Sequence, residues 1–386
     1  MITELYLPTK GGTAVWFDEV YRRLGGKEIH VVTADVPGAA EHDAAHPNTV
    51  HRLSLRRHGW LKPESLAMYG KLFFKSLGLA LRHRFQAVHA GRVLPEGLVA
   101  WLVARIARIP AVIYAHGEEI TTWRQPAKFR VMRFVYRHAD RVIANSEFTR
   151  DELLELGVAP ERIVLIYPGV DTERFRPGLP CDDLKASIGL APDEKLILSV
   201  GRLSRRKGFD MVIRSLPELL RQGLKVRYAL IGIGEDWDYL SNLARELGVA
   251  DRVHMLGHVP PDDLPRWYNA CDVFAMPNRE IDGDTEGFGM VFIEAAACGK
   301  PALAGTAGGT GAAVVEGVTG LRVPGSEQWA VARALAQLLA EPALAARLGR
   351  AGFERVHSRF NWNVVAECTR GLTSLQVGDW GRMKRE

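Results

Sequence analysis

Asp284-Thr-Glu-Gly-Phe-Gly-Met-Val-Phe-Ile-Glu294 is the stretch from which we interpret the rest of the chain. Two glycines flank Phe288, and an apolar run then leads to Glu294. Glycines ahead of a helical run predict a loop whose backbone N–H groups face a ligand at a helix N-terminus. Glu286 then lies in the loop, and Glu294 lies about one to two turns into the helix. Ionised carboxylates only accept hydrogen bonds, so the pair suits sugar and ribose hydroxyls, although a capped surface helix explains the same pattern.

Length and composition predict a globular protein with two domains. The chain has 386 residues, of which 47% are hydrophobic and 25% are charged, as in ordinary globular proteins. This is more residues than a domain with a single hydrophobic core usually contains. No apolar stretch reaches the ~18 residues of a membrane span, and the first residues lack the features of a signal peptide. The four cysteines are far apart and lack metal-ligand spacing. They predict reduced thiols in a cytoplasmic protein, with neither a disulfide framework nor a zinc site.

Basic charge is concentrated in the first half of the chain. The whole formal excess of +5 falls within residues 1–172 and is densest in 52–84. That segment interleaves basic with large apolar residues: Arg52, Arg56, Arg57, Trp60, Leu61, Lys62, Leu66, Met68, Tyr69, Lys71, Leu72, Phe73, Phe74, Lys75, Leu77, Arg82 and Arg84. Such a helix either lies on an anionic membrane surface or forms a domain helix with one core face and one solvated basic face. No nucleic-acid-binding module is recognisable, which disfavours that class.

Predicted strands alternate with helices twice along the chain. The strands are 2–7, 29–33, 87–90, 111–115, 141–145 and 162–166, then 196–200, 228–231, 253–256, 273–276, 301–304 and 320–323. This alternation is typical of α/β folds and predicts two doubly wound domains, 1–172 and 190–360. The breaker-rich segment 172–192 marks the boundary, and a C-terminal helix in 361–386 is expected to pack back on the first domain.

Each candidate ligand loop follows a predicted strand. The loops are 11–12, 116–119, 202–208, 232–236, 284–290 and 305–310. Ligands of open α/β sheets bind at this edge, so we expect these loops to converge on a cleft between the domains. The basic loop 202–208 suits a diphosphate, and a solvated basic turn is the alternative. His116 and Glu118 lie at a strand end, where a cap or a turn histidine is the alternative, and the turn at 232–234 lacks the third glycine of a dinucleotide fingerprint.

The order of these motifs resembles that of the retaining GT-B glycosyltransferases, specifically glycosyltransferase family 4. The resemblance rests on Gly201-Arg202-x4-Lys207-Gly208, on the Gly-x-Gly turn at 232–234, and on Glu286-x7-Glu294, in this order. It covers nearly the whole chain. It implies a GT-B fold, in which two Rossmann-like domains face a central cleft, and a metal-independent hexosyltransferase that needs no cofactor beyond its nucleotide-diphosphate-sugar donor.

Residue roles follow from the resemblance position by position. The residues implied at the reacting centre are His116 beside the donor sugar, Arg202 and Lys207 on the donor diphosphate, and Glu286 on the sugar hydroxyls. The residues implied in donor binding are Gly12, Gly232, His258, Val259, Gly287, Phe288, Gly289, Met290 and Glu294. Among these, Glu294 binds the ribose and the turn at 258–260 contacts the base. Retention is expected through a front-face mechanism, so Glu286 is not assigned as a double-displacement nucleophile.

The sequence defines the donor and the acceptor less closely than it defines the fold and the residue roles. The long acidic loop 279–285 resembles that of mannosyltransferases acting on phosphatidylinositol mannosides and related cell-envelope lipids, which favours GDP-mannose. UDP-glucose, UDP-GlcNAc and UDP-galactose remain open. The expected acceptor is a lipid-linked or polysaccharide glycan at the inner membrane face. Rival hypotheses are a nucleotide-sugar epimerase, a glucan synthase and a catalytically silent nucleotide-sugar-binding protein. Family members usually carry more residues ahead of the first strand, so a truncated start is expected.

Overall fold

The computed structural model describes residues 1–55, 63–123 and 125–374. These residues form two compact units: Met1–Pro168 with Trp362 onward, and Gly169–Asn361. The breaker-rich segment 172–192 therefore belongs to the second unit. Arg56, Arg57, Trp60, Leu61 and Lys62 of the basic segment, and residues 375–386 of the predicted C-terminal helix, lie outside the described residues.

The first unit contains six strands and eight α-helices among its described residues. The strands are β1 (His30–Ala34), β2 (Thr49–Leu53), β3 (Val88–Ala90), β4 (Ala111–Ala115), β5 (Arg141–Ala144) and β6 (Ile163–Leu165). The helices are α1 (Gly12–Tyr21), α2 (Ala39–Ala44), α3 (Pro63–Arg82), α4 (Leu98–Ala107), α5 (Glu118–Thr122), α6 (Pro126–His138), α7 (Glu147–Glu155) and, from the end of the chain, α16 (Trp362–Ser374). Ser146 caps α7, because its hydroxyl accepts a hydrogen bond from the Thr149 N–H.

The sheet of the first unit is parallel throughout. β1 pairs with β2, and β3, β4, β5 and β6 follow one another. Ile2 bridges Val32 on one side and Ala90 on the other, so it joins the two groups of strands. The predicted strand at 2–7 is otherwise wrong. Beyond Ile2 the backbone turns away, since Arg52 donates a hydrogen bond to the Leu7 carbonyl at 2.6 Å.

The second unit contains the remaining strands and helices. The strands are β7 (Lys195–Val200), β8 (Val226–Ile231), β9 (Val253–Gly257), β10 (Val273–Met276), β11 (Ala302–Gly305) and β12 (Gly320–Val323). The helices are α8 (Asp182–Ser187), α9 (Phe209–Arg221), α10 (Trp237–Glu246), α11 (Asp263–Ala270), α12 (Met290–Ala297), α13 (Thr310–Ala313), α14 (Gln328–Ala340) and α15 (Pro342–Arg359). The parallel strands lie in the order β12-β11-β10-β7-β8-β9.

This strand order fixes where a ligand can bind in the second unit. From β7 the chain proceeds outward through β8 and β9, and it then crosses to β10 on the other side of β7. The carboxyl ends of β7 and β10 therefore flank the topological switch point of a doubly wound sheet. The strands themselves are buried runs, since Leu196, Ile197 and Leu198 are all inaccessible, as a sheet covered on both faces requires.

Candidate functional site

Two glycines bring the loops at the switch point into contact. Gly208 has a φ of +74°, and a Cβ at this position would lie 2.0 Å from the Pro277 carbonyl oxygen. Gly232 has a φ of +148°, and its Cβ would lie 1.8 Å from the carbonyl oxygen of Gly201. Only glycine accommodates both the backbone conformation and the close approach at these positions. The loops after β7, β8 and β10 are thereby packed backbone against backbone.

The basic loop after β7 presents its cations in different ways. Arg202 is 74% exposed, and its Nε donates to Glu235 Oε2 at 3.0 Å. Arg205 is bound to Asp236 at 3.1 Å, whereas the Lys207 side chain is only 11% exposed. A short 3-10 turn, Arg205–Lys207, carries the last three cations into the N-terminus of α9. The loop therefore combines two exposed guanidinium groups, those of Arg202 and Arg205, with the largely buried ammonium group of Lys207.

Glu286 is the anionic partner of this basic loop. Its Oε2 atom accepts hydrogen bonds from Lys207 Nζ and, at 3.0 Å, from Arg206 Nη1. Burial works to raise the pKa of Glu286, but the charges and hydrogen bonds of Lys207 and Arg206 oppose it more strongly and hold the pKa below its usual range. Glu286 is therefore an ionised, mostly buried acceptor directly beside the predicted diphosphate-binding residues.

Neighbouring loops hold Glu286 in place. Gly309 donates its N–H to the Glu286 carbonyl oxygen at 2.7 Å, so the loop after β11 supports the loop after β10. Arg279 donates its N–H to the Arg206 carbonyl at 2.8 Å, and its guanidinium binds the buried Asp210 at 3.0 Å. These contacts connect the N-terminus of α9 to the acidic loop 279–285.

The second carboxylate of the motif lies on α12. Gly289, with a φ of +86°, precedes this helix, and the Phe288 side chain is buried against the Phe360 ring. Glu294 Oε2 accepts a hydrogen bond from the Tyr268 hydroxyl at 2.7 Å. Burial raises the pKa of Glu294, although the Tyr268 hydrogen bond and the Arg174 charge act in the opposite direction. Glu286 and Glu294 thus lie in different electrostatic surroundings.

The remaining donor-binding candidates of the second unit lie at loop positions. Gly287 and Met290 are partly exposed on either side of Phe288 and Gly289. His258 is exposed and Val259 is partly exposed, directly after β9. Gly232 is partly exposed after β8. All of these residues therefore follow strands of one sheet at its carboxyl edge.

Gly12 and His116 belong to neighbouring elements of the first unit. Gly12 begins α1, and the rings of Trp16 and Phe17 on that helix meet the His116 ring edge-on, with centroids 5.9 and 6.1 Å away. His116 follows β4, and its Nε2 atom lies 2.8 Å from the Gly91 carbonyl oxygen. Because a carbonyl can only accept, Nε2 carries a proton, and Nδ1 is the acceptor of the neutral ring.

Glu119 and Arg206 support these sites, and neither was given a role from the sequence. Glu119 Oε1 accepts hydrogen bonds from the His116 N–H at 3.0 Å and from the Tyr136 hydroxyl at 2.5 Å, which fixes the backbone of His116. Arg206 binds Glu286 as described above. Its place between Arg202 and Lys207 was a usable signal, whereas nothing in the local sequence points to Tyr136.

One group of three side chains in the described part of the chain offers potential metal ligands together. Asp18 Oδ1 lies 3.1 Å from His42 Nε2 and 3.2 Å from His46 Nε2. However, His46 Nδ1 accepts a hydrogen bond from the Asn48 N–H at 3.1 Å. A neutral ring that accepts through Nδ1 carries its proton on Nε2, and a protonated nitrogen does not bind a metal. We therefore interpret the cluster as a polar contact that links α1 to α2 and to the segment after it.

Comparisons with protein-family models give one match for each half of the chain. Residues 10–174 match the model described as Glycosyltransferase Family 4. Residues 182–355 match the model described as Glycosyl transferases group 1. The second match includes the basic loop after β7, Glu286 and Glu294.

Curated relatives match over nearly the full length. The GDP-mannose-dependent alpha-(1-6)-phosphatidylinositol monomannoside mannosyltransferase of Mycolicibacterium smegmatis is 31% identical, with 100% of this chain and 99% of the relative covered. The D-inositol 3-phosphate glycosyltransferase 2 of Catenulispora acidiphila is 36% identical, with 96% and 91% covered.

Solved structures support the fold. The crystal structure of Anabaena HepE in complex with UDP superposes with a TM-score of 0.82 at 23% identity and covers 97% of this chain and 99% of that chain. Sucrose-phosphate synthase from Thermosynechococcus elongatus gives a TM-score of 0.77 at 24% identity, with 96% and 97% covered. At these identities the likeness concerns the fold alone, which is the predicted GT-B arrangement of two α/β domains with parallel sheets.

Proposed function

The chain belongs to the glycosyltransferases of family 4 and group 1, and from this premise we propose that it is a retaining, metal-independent hexosyltransferase that uses GDP-mannose. One observation carries the proposal: Lys207 and Glu286 meet at the carboxyl edge of the second sheet, at its topological switch point, and Arg202 lies on the same loop as Lys207. The name of the M. smegmatis relative supports GDP-mannose as donor and a lipid-linked or polysaccharide acceptor in cell-envelope glycan synthesis.

Arg202 and Lys207 are proposed to hold the donor diphosphate. Cleavage of the sugar–phosphate bond places negative charge on the leaving diphosphate and positive charge on the sugar ring. Cations already fixed near the phosphate stabilise that transition state without reorganisation. Arg202 is exposed and Lys207, five residues further along the same loop, is largely buried, and together they are proposed to supply the charge that a divalent cation supplies in other transferases. No metal is part of the proposed mechanism.

Glu286 is proposed to accept hydrogen bonds from the donor sugar, together with the backbone of residues 287–290. Its Oε2 atom is shared by two cations, which favours the ionised form but weakens it as a nucleophile. This supports front-face retention over a covalent glycosyl-enzyme intermediate. Glu294 is proposed to bind the ribose, His258 and Val259 the base, and Gly232 to allow close approach of the nucleotide.

In the first unit, Gly12 and His116 are proposed to act near the acceptor and the sugar. Gly12 leaves the start of α1 open to an approaching phosphate or hydroxyl, because glycine has no side chain to obstruct it. The Nδ1 atom of His116 is available as an acceptor for a hydroxyl proton, since Nε2 donates to Gly91. These two features give a physical basis for the roles that the family resemblance implies for Gly12 and His116.

Association with an anionic membrane at the cytoplasmic face is proposed through α3. This helix exposes Leu66, Phe74 and Leu81 beside Lys71 and Arg82. Among the described residues, no helix is both long and apolar enough to span a bilayer. A basic surface with exposed apolar side chains instead suits binding to the headgroup region, where a lipid-linked acceptor is presented.

Thermal stabilisation by nucleotides tests the donor. The protein is heated in EDTA with GDP, UDP, ADP, CMP, GDP-mannose or UDP-sugars. A ligand at a hundredfold its Kd stabilises by about 2.7 kcal/mol, which shifts Tm visibly. We expect GDP and GDP-mannose to raise Tm. A response to UDP compounds alone would support the UDP-sugar alternative, and no response from folded protein would contradict donor binding.

Removal of the phosphate-binding cations provides the matching activity test. We expect Lys207→Ala and Arg202→Ala each to lower turnover of the donor by about 10²–10³-fold, the usual effect of losing one preorganised charge. Circular dichroism should show that both variants keep their fold. Turnover close to wild type in both variants would contradict the assignment of the diphosphate site.

A further inference from the structure

Arg206 contacts two acidic residues of the loop that faces it. Its Nε atom lies 3.2 Å from Asp284 Oδ2, and its Nη1 atom lies 3.0 Å from Glu286 Oε2. The Arg206 side chain is 18% exposed and that of Glu286 is 14% exposed, so this contact is largely shielded from water, whereas the Asp284 side chain is about half exposed. Lys207 binds the same Oε2 atom, and one carboxylate oxygen therefore serves two cations.

The proposed function gives these two cations different tasks. A donor diphosphate attracts Lys207, which must then redirect its ammonium group from Glu286 to phosphate. Glu286 must meanwhile stay ionised to accept hydrogen bonds from the sugar. A buried carboxylate that loses its partner is strongly destabilised and takes up a proton. Arg206 is held by Asp284 and does not need to leave Glu286.

We propose that Arg206 is a positioning residue that keeps Glu286 ionised and oriented while Lys207 binds the donor diphosphate. The inference rests on the proposed function, because it assumes that Lys207 binds phosphate. It adds a role for a side chain that contacts Asp284 and Glu286 of the acidic loop.

The charged groups around Glu286 determine the expected pH dependence. Lys207 and Arg206 face it from the loop after β7, and Asp284 lies on its own loop and shares Arg206. The loop after β11 meets it through the Gly309 N–H. The nearby Arg279 is already paired with Asp210. Without Arg206, burial raises the pKa of Glu286 with only Lys207 to oppose it, and in the donor complex Lys207 is engaged elsewhere.

The first test follows GDP-mannose turnover against pH in Arg206→Met and Arg206→Lys. For Arg206→Met we expect kcat to fall about tenfold at neutral pH and the acid limb of the profile to move up by about one pH unit or more. Arg206→Lys should restore most of the wild-type kcat and most of the wild-type position of the acid limb. The affinity for GDP, which lacks the mannosyl group that Glu286 is proposed to bind, should change little. An Arg206→Met profile with the wild-type acid limb would overturn the proposal.

A matched control lies elsewhere in the second unit. Glu194 also binds two arginines, Arg227 at 2.7 Å and Arg252 at 2.6 Å, and its carboxylate is 8% exposed. Arg252→Met removes a comparable pair outside the site. It should lower Tm but leave the acid limb where it is. The same movement of the acid limb in Arg252→Met would assign the effect to general destabilisation and would overturn the proposal.

The second test is independent of donor identity. Lys207→Met imitates the state in which Lys207 has left Glu286. We expect the Tm loss of Arg206→Met with Lys207→Met to exceed the sum of the two single losses, and the excess to vanish when Glu286→Gln is added. Additive losses with Glu286 present would overturn the role of Arg206. Absence of any nucleotide response, with this coupling intact, would instead overturn the proposed function.

Discussion

Glu294 is the residue whose surroundings make the clearest pH prediction. Burial raises its pKa, and the Tyr268 hydroxyl donates to its Oε2 atom. A carboxyl with a raised pKa in the folded state contributes stability at low pH and loses that contribution as pH rises through the folded pKa. Ionised Glu294 is therefore a cost to the unliganded protein at neutral pH, and ribose hydroxyls are the donors that would reduce it.

Glu294→Gln should accordingly separate stability from binding. The amide oxygen keeps the Tyr268 hydrogen bond without a buried charge, so we expect a gain on the order of 1 kcal/mol at pH 7.5 and a smaller gain at pH 5. The rise in Tm caused by GDP should shrink, because an amide is a weaker acceptor than a carboxylate. Melting curves at both pH values with and without GDP measure this. An undiminished GDP response would remove the ribose role.

Individual residues were predictable from the sequence to different degrees. The family motifs correctly selected loops that lie at one edge of the second sheet, including those of Lys207 and Glu286. The pairing of Arg206 with Glu286 could not be predicted, because 80 residues separate them. That contact depends on β10 lying beside β7, which is a property of the sheet order. The roles of Arg202, His116 and the other site residues stay predictions.

At the level of elements, α9 offers two glycines for comparison. Gly208 precedes the helix with a φ of +74°, and Gly223 follows it with a φ of +82°. A Cβ at Gly208 would meet the Pro277 carbonyl, whereas a Cβ at Gly223 would meet nothing within 4 Å. The two positions therefore share backbone strain and differ in contact.

Alanine at each position should measure the contact between the loops after β7 and β10. We expect Gly223→Ala to cost about 1 kcal/mol, which is the strain of a left-handed alanine. Gly208→Ala should cost roughly 4 kcal/mol or more, since the Pro277 carbonyl belongs to a packed backbone. Urea unfolding of both variants gives the comparison. Equal costs would mean that the two loops separate easily, and the close packing at the switch point would lose its support.

The elements show why some predictions succeed. The bounds predicted for β4, β10 and β12 agree with the structure, because each is a short, mostly apolar run between clear breakers. The segment between β3 and β4 begins as an irregular turn that contains Pro95, and α4 starts only at Leu98. β2 was missed since its residues, Thr49–Leu53, are mixed in polarity and all partly exposed.

On the scale of the whole molecule, α3 is unusual in having two apolar faces. Met68, Leu72 and Leu79 are buried in the core of the first unit. Leu66, Phe74 and Leu81 occupy another face and are 53%, 73% and 68% exposed. The expectation of a helix with one core face and one solvated basic face is therefore too simple. The second apolar face is what a membrane surface would cover.

Vesicle binding is the measurement that tests this surface, and Phe74 is the residue to change. We expect wild-type protein to bind vesicles containing anionic lipid and to release them as salt rises, because each nearby Lys or Arg contributes about 1 kcal/mol through a screened field. Phe74→Glu should weaken binding roughly tenfold or more, since it replaces an apolar contact with a repelled charge. Val318→Glu is the matched control, because Val318 is 51% exposed on the second unit. Both variants should keep the wild-type response to GDP. Equal losses in the two variants would mean that net charge rather than α3 governs binding, and the acceptor would then have to reach the first unit without a membrane holding it there.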